Sequence, residues 1–365
     1  MVLKRSDLNS PILLSFDNFT PLSRTPWAGT EIGRNFKKNF MPQGMSRFIG
    51  ESWEFSCDPD FPSRIHGSTQ TLIDLFQEYP METLGSTGED HTCKILVKLL
   101  NAASPLSLQV HPADDDSDLQ ENECGKPESW LIIKAEPGAG LYLGFSEGIS
   151  KDELRKRLQS GEDCRDLLKF VEVKPGDYFE IEPGTPHAIG GGVTLLEPQR
   201  SLTGQSGKTY RLWDWGRRYY QDGRLAEEGD GSPRELHLDE GLKLVNPNTQ
   251  VGDAFVDSTR RSPISHSLAN GIDVCEYPPN CDYQVCKIKM PPKSDLRLTI
   301  SEGYGVFIPL QGPFEFVGEE KTIECLAGQP AFIPAVVDCT KIECSEGGEF
   351  VLVIPSWSKA IWEAL

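Results

Sequence analysis

The sequence predicts a mainly β protein built as two barrel units with a few short helices inserted, and three observations carry that expectation. Short β-prone runs recur along the whole 365-residue chain, among them "SWEFSC", "KILVKLL", "SWLIIKA", "GLYLGF", "GVTLLEP", "QVCKIKM", "GVFIPL" and "EFVLVIP". They are punctuated by 34 glycines and 27 prolines, spread evenly rather than pooled in one linker. Many short strands between turn signals fit a sandwich or barrel better than a βαβ sheet. The third observation is an internal echo: "PGDYFEIEPGTPHAI" places His187 eleven residues after Gly176, and "AGQPAFIPAVVDCTKI" places Cys339 eleven residues after Gly328. Each copy reads as strand, tight turn, strand.

The helices follow in chain order. "STQTLIDLFQEYP" has helical spacing and marks an insertion near 68–80. "SKDELRKRLQSG" opens with Ser150 and Glu153 at the spacing of a capping box and stops at Gly161. "CRDLLKFV" is expected to continue it as a second short helix, so that this insertion spans 150–170, and "HLDEGLKLV" supplies a third helical piece. The polar, glycine-rich stretch from 217 to 252 reads as the connector. Residues 1–250 then form the first barrel and residues 251–365 the second, with a histidine at the turn of the first alone.

Composition narrows the function. A formal charge of -19 repels phosphate backbones and anionic membranes, so no nucleic-acid or membrane partner is expected. An anionic substrate would need a local basic pocket. No segment approaches the roughly 18 apolar residues of a membrane span, and the opening "MVLKRSDLNSPILLSF" is not a secretory signal, its short apolar run being broken by Pro11. Ten cysteines contain no C-x-x-C pair, so they read as free thiols in a reducing, cytoplasmic setting.

Chemistry concentrates in a few segments. "LQVHP" sets Gln109 and His111 two residues apart, hence on one face of a strand. "GKPESW" follows with Lys126 and Glu128, again two apart, and the turn histidine His187 can meet them across a barrel. One amide oxygen, two imidazoles and a carboxylate form a mixed N/O set that suits zinc, with manganese or ferrous iron as alternatives. A carboxylate on a barrel's inner face is costly unless a cation compensates it. A dication there would in turn lower the pKa of Lys126. Arg211 alternates with Tyr210 and Leu212 in "TYRLWDWGR" and is expected to point inward, while Trp27 and Glu51 are candidates for the cavity wall.

These segments resemble a known family. "GD.F.I.PGT.HA" around His187 is similar to the second sequence motif of cupins. "PLSLQVHP", "GKPESW" and "LLEPQRS…TYRLWDWGR" resemble the corresponding stretches of type I mannose-6-phosphate isomerases, as do "RTPWAGTEIG", "IGESWEFS" and "RELHLDEGLKLV". The likeness runs in order from about residue 17 to 250, and the last hundred residues resemble only a generic cupin. Between Glu197 and Tyr210 this chain carries "PQRSLTGQSGK", longer and more basic than the family's usual run.

The resemblance implies two cupin-like double-stranded β-helix barrels (jelly rolls), the second degenerate and without a metal site. It implies Gln109, His111, Glu128 and His187 as ligands of one zinc ion per chain, and a pocket lined by Lys98, Ser107, Lys126, Glu197 and Arg211. The expected activity is interconversion of mannose 6-phosphate and fructose 6-phosphate through an enediol, with Lys126, Glu197 and Arg211 as catalytic residues. Lys98, Ser107, Arg217, Trp27 and Glu51 are expected to bind the sugar phosphate. The chain is expected to act as a monomer or homodimer. The alternative is a non-catalytic cupin that binds metal or sugar phosphate as a sensor or accessory protein.

Overall fold

The structure, a computed structural model, describes residues 2–41, 44–85, 92–319 and 321–365. A short strand β1 (Ile12–Leu13) is followed by β2 (Glu51–Phe55), β3 (Ile95–Ala102), β4 (Leu108–Val110), β5 (Glu123–Cys124) and β6 (Glu128–Ala135). Then come β7 (Gly140–Phe145), β8 (Leu168–Glu172), β9 (Tyr178–Ile181), β10 (His187–Ile189), β11 (Val193–Arg200), β12 (Ser206–Gly207), β13 (Tyr210–Trp213) and β14 (Arg260–Arg261). A six-stranded sheet in the order β14-β9-β6-β11-β3-β2 faces a five-stranded sheet in the order β13-β4-β10-β7-β8, which makes the first barrel. A seven-stranded and a five-stranded sheet drawn mostly from residues 264–364 make the second.

Two crossings tie the barrels together. β1 pairs with Ala331–Ile333 in the second barrel, whereas β14 pairs with β9 in the first, so the chain crosses the line at 250 in both directions. A shared apolar core lies between them, with Phe55, Phe76, Ile95, Val97 and Leu99 packed against Tyr277, Tyr283, Tyr304 and Phe332. Inside this seam Lys37 is wholly buried. Its Nζ lies 2.6 Å from Glu54 Oε2 and donates at 2.6 Å to the carbonyl of Gly328 in the second barrel.

This double packing explains the run "ILVKLLNA", buried at every position of β3. Strand side chains alternate faces. Ile95, Val97 and Leu99 turn to the seam, and Leu100 and Ala102 turn into the first barrel. Lys98 shares their inward parity. The same reasoning aims Glu128, Trp130 and Ile132 of β6 inward while Leu131 faces the seam, and it aims Val193, Leu195, Glu197 and Gln199 of β11 inward while Leu196 does not. On the other sheet, Leu108, Val110, Tyr210 and Leu212 pack outward on a third apolar cluster, so Gln109 and Arg211 face the interior. In the second barrel the equivalent space is filled by rings, Phe307 stacking on Phe350 at 4.3 Å and meeting Phe314 and Phe316 edge-on.

The helices are α1 (Leu72–Glu78), α2 (Pro80–Leu84), α3 (Lys151–Ser160), α4 (Leu238–Leu244) and α5 (Gly252–Thr259). Ser150 caps α3 by accepting from the Glu153 N–H, and Gly161 ends it in the left-handed region at φ 73°. The segment "CRDLLKFV" departs from expectation: Arg165–Leu167 forms a single 3-10 turn and the chain then enters β8, which pairs with β7. An open sheet edge offers backbone partners that two turns of isolated helix lack, and Leu168 and Val171 are buried by taking them. The expected connector is likewise folded. Tyr219 exchanges backbone hydrogen bonds with Ser232 at 2.8 and 2.9 Å, and Leu242 of α4 joins the cluster outside β4 and β13.

Candidate active site

The two sheets bring four sequence-predicted ligands to one place. β10 pairs with β4 so that His187 stands opposite Gln109, and β11 pairs with β6 so that Gln199 stands opposite Glu128. His111 follows the last residue of β4 on the same face as Gln109. The ligand atoms of His111, Glu128 and His187 all lie within 4.8 Å of one another, and all three side chains are buried. His111 Nε2 is 3.5 Å from Glu128 Oε2, and His187 Nε2 is 3.4 Å from Glu128 Oε1.

The backbone sets the tautomers. His111 Nδ1 lies 3.1 Å from the Lys208 carbonyl and His187 Nδ1 lies 2.8 Å from the Thr185 carbonyl. A carbonyl only accepts, so each Nδ1 carries the proton and each Nε2 presents a lone pair toward Glu128. Burial, then the Lys126 charge, pushes the His111 pKa down to about 3, and burial lowers that of His187. Both rings are neutral donors at neutral pH. Burial, the largest influence, opposes ionisation of Glu128, yet the Lys126 ammonium together with His111 and His187 holds the carboxyl well below its ordinary value. Glu128 Oε2 is buried without a well-directed hydrogen bond, its one close cation being Lys126 Nζ at 2.7 Å. Two neutral imidazoles around an ionised, under-bonded carboxylate fit a divalent metal. Gln109 Nε2 donates to Ser107 Oγ at 2.9 Å, leaving its amide oxygen as the end that can face a cation.

Three charged side chains adjoin the donors. Lys126 Nζ lies 3.3 Å from His111 Nε2 and 3.8 Å from Glu197 Oε1. Lys98 stands opposite Glu197 in the β3–β11 register. Its Nζ approaches Glu197 Oε1 to 3.5 Å, donates to Gln199 Oε1 at 3.0 Å, and sits over the Trp53 ring at 4.2 Å. Burial, then the Glu128 charge, lifts the Glu197 pKa to about 7 against the pull of both lysines. Burial would lower the pKa of Lys126, but Glu128 and Glu197 raise it overall. A small inner chamber of about 50 Å³, lined by Glu128, His187, Lys126 and Glu197, opens into an outer hollow of about 420 Å³.

The outer hollow gathers most of the remaining expected residues. Lys98, Ser107, Trp27, Glu51 and Arg211 all line it, with Glu51 accepting from Trp53 Nε1 at 3.1 Å. Arg217 does not. A close ion pair with Asp214 and a 2.8 Å bond to the Pro105 carbonyl turn its guanidinium into a separate neighbouring hollow beside Tyr142 and Trp215. Sequence reasoning missed Arg234, Arg24 and Trp53, which also border the outer hollow. "RELHLDEGLKLV" contains Arg234, but its helical pattern drew attention to the residues after it. The unusual stretch 198–208 forms wall: β12 pairs with β5, and Ser206 and Gly207 line the hollow.

Fold and site together define a cupin-like protein of two barrels, with a donor set that could hold a metal converging in one barrel and aromatic rings filling the other. No family profile matches the chain. YvyI of Bacillus subtilis (strain 168), provisionally named a mannose-6-phosphate isomerase, is 30% identical over 332 residues, spanning 89% of this chain and 93% of YvyI. The mannose-6-phosphate isomerase ManA of the same organism is 33% identical over 223 residues, 60% of this chain and 64% of ManA. Among solved structures, a mannose 6-phosphate isomerase from Bacillus subtilis superposes with a TM-score of 0.76 at 26% identity, covering 94% of this chain and 99% of the other. The chain belongs to the mannose-6-phosphate isomerase family. Among the described residues no helix is long and apolar enough to cross a membrane.

Proposed function

We propose that this protein is an aldose–ketose isomerase that interconverts mannose 6-phosphate and fructose 6-phosphate, with zinc as its metal. The observation that carries the reading is the buried His111–Glu128–His187 donor set with Lys126 and Glu197 beside it, at the floor of a hollow lined by arginines. Gln109 completes the ligand set. The bound dication supplies Lewis-acid polarisation of the substrate's carbonyl, a contribution of several kcal/mol.

The chain's own groups do the rest. Isomerisation removes a proton from C2 of the aldose, returns one to C1, and shifts protons between the two oxygens; nothing is gained or lost. Glu197 is the carbon base, poised near neutrality by its burial. Lys126, 3.8 Å from it, holds positive charge where negative charge develops on oxygen and moves a proton there. Lys98 and Ser107 hold sugar hydroxyls, Trp27 and Glu51 form the wall, and Arg211 faces the substrate from β13. The first barrel is the catalytic unit and the second a buttress that seals β3, β6 and β11 from behind.

Purified protein incubated with fructose 6-phosphate, with chelator and with zinc restored, tests the reading. Mannose 6-phosphate should form, cease with chelator, and return with zinc. Tight sugar-phosphate binding without turnover would instead support a non-catalytic cupin.

A further inference from the structure

Strand β11 carries a proline in the middle of a sheet. Its neighbours are β6 on one side and β3 on the other, so Pro198 does not stand at an edge. Proline has no N–H, and a central strand loses one ladder bond wherever it occurs. The loss falls on the β6 side. Leu196 pairs with Leu131 and Gln199 with Glu128, yet Glu197–Trp130 and Pro198–Ser129 form no pair. Toward β3 the run from Leu196 to Gln199 pairs without a break. The Arg200 N–H donates to the Pro127 carbonyl at 2.9 Å, so alternate residues here turn their backbone groups toward β6. Position 198 shares that parity, and its missing N–H is the donor that β6 would have met.

The lapse lies between two carboxylates of the site. Glu128 precedes Ser129 on β6 and Glu197 precedes Pro198 on β11, and both acids point into the barrel. Ser129 and Pro198 share the parity of Leu131 and Leu196 and face the seam. Tyr283, which opens the strand Tyr283–Met290 of the second barrel, reaches that spot. Its hydroxyl donates to the Pro198 carbonyl at 2.7 Å and lies 3.0 Å from Ser129 Oγ. A phenol has a single proton to give, so the serine hydroxyl donates to Tyr283. Ser129, Tyr283 and the Pro198 carbonyl then form a continuous bridge from β6 to β11. Tyr283 is 1% exposed and Ser129 0%, so the bridge is shut off from solvent. Burial pushes the Tyr283 phenol well above its ordinary range, and the donated proton stays in place.

We infer that Tyr283 is a positioning residue for the first barrel's reaction: its hydroxyl stands in for the ladder bond that Pro198 omits and fixes the spacing of Glu128 from Glu197. The second barrel thereby sets the geometry of a site whose two chambers it does not line. The inference rests on the isomerase reading for its kinetic effect but not for its effect on metal binding at Glu128.

Tyr283→Phe keeps the ring and removes the bridge. In the zinc-loaded full chain, kcat for mannose 6-phosphate should fall about tenfold, with KM changed by less than about threefold. The dissociation constant of zinc, measured by competition with a chromogenic chelator, should rise about tenfold. Pro198→Val restores the N–H, so adding Y283F to P198V should change kcat and zinc affinity by less than about twofold. A general loss of packing would carry the same penalty into either background. Full effects of Y283F in the P198V background overturn the inference, as do wild-type kcat and zinc affinity in Y283F itself. Should P198V fail to fold, Ser129→Ala decides: Y283F combined with S129A should lose no more than either alone, and additive losses overturn the bridge. Should Y283F fail to fold, S129A replaces it in both backgrounds with the same expectations. If the wild type turns over no hexose phosphate, the isomerase reading falls and zinc affinity alone judges Tyr283. A rise in Y283F that vanishes in P198V supports the bridge there; no rise, or an equal rise in both, overturns it.

Discussion

Lys126 Nζ lies 2.7 Å from Glu128 Oε2 and 3.3 Å from His111 Nε2, so its ammonium supplies positive charge to the same donors that suit a dication. A metal bound there would therefore compete with the lysine for one carboxylate. In Lys126→Met, the metal-free chain keeps Glu128 buried with no cation at contact distance, a loss of about 3–5 kcal/mol by analogy with broken buried pairs. Added zinc should recover most of that loss. Thermal melts with and without zinc check it; a variant as stable as wild type in chelator contradicts the competition. Turnover of the zinc-loaded variant should fall by about 10²–10⁴.

Glu197→Gln should reduce kcat by about 10²–10⁴ with KM little altered. It should also change how stability depends on pH. In the metal-free chain the carboxyl's folded pKa is raised from 4.5 to about 7. The folded state then binds more protons than the unfolded one between those values, so this group makes stability fall as pH rises through that window. Denaturant titrations of metal-free wild type and E197Q, compared at pH 5 and 7, should show the downward trend diminished in the variant. Parallel trends would remove the basis for treating Glu197 as a base poised near neutrality.

Gly207 packs beside the Lys126 stem. A Cβ built there lies 3.0 Å from Lys126 Cγ and 3.3 Å from its Cβ and Cδ. No positive φ restricts the position, so Gly207→Ala leaves the backbone unstrained and presses on the lysine stem. A displacement of that kind costs on the order of tenfold to a hundredfold in kcat. Steady-state kinetics alongside an unchanged melting temperature would establish the effect; wild-type kcat means Lys126 position is not critical.

The Lys37–Glu54 pair predicts a purely structural response. Lys37→Met strands Glu54 in the seam and should cost about 3–5 kcal/mol, while Lys37→Met combined with Glu54→Leu should cost clearly less. Chemical denaturation of both variants measures this. Equal losses would mean that the hydrogen bond to Gly328, rather than the ion pair, holds the seam together.

Local order was legible in the sequence where it depends on neighbours in the chain. Strand alternation placed Gln109 with His111 and Lys126 with Glu128, and aimed Arg211 inward, because a period of two is written in consecutive residues. The cap at Ser150 and the stop at Gly161 were readable for the same reason. The segment 165–171 was not, because its strand pairing with β7 outweighs a helical pattern confined to a few residues.

The sequence by itself determined the β architecture, the metal-type donors and the side of each strand on which they stand. Tertiary structure alone decided which donors meet. The pairing of β4 with β10 sets His187 opposite Gln109, the pairing of β3 with β11 sets Lys98 opposite Glu197, and the fold-back through Tyr219 and Ser232 delivers Arg234 to the mouth while Asp214 draws Arg217 aside. Register and fold-back depend on contacts between segments far apart in the chain, whose relative placement no local period encodes.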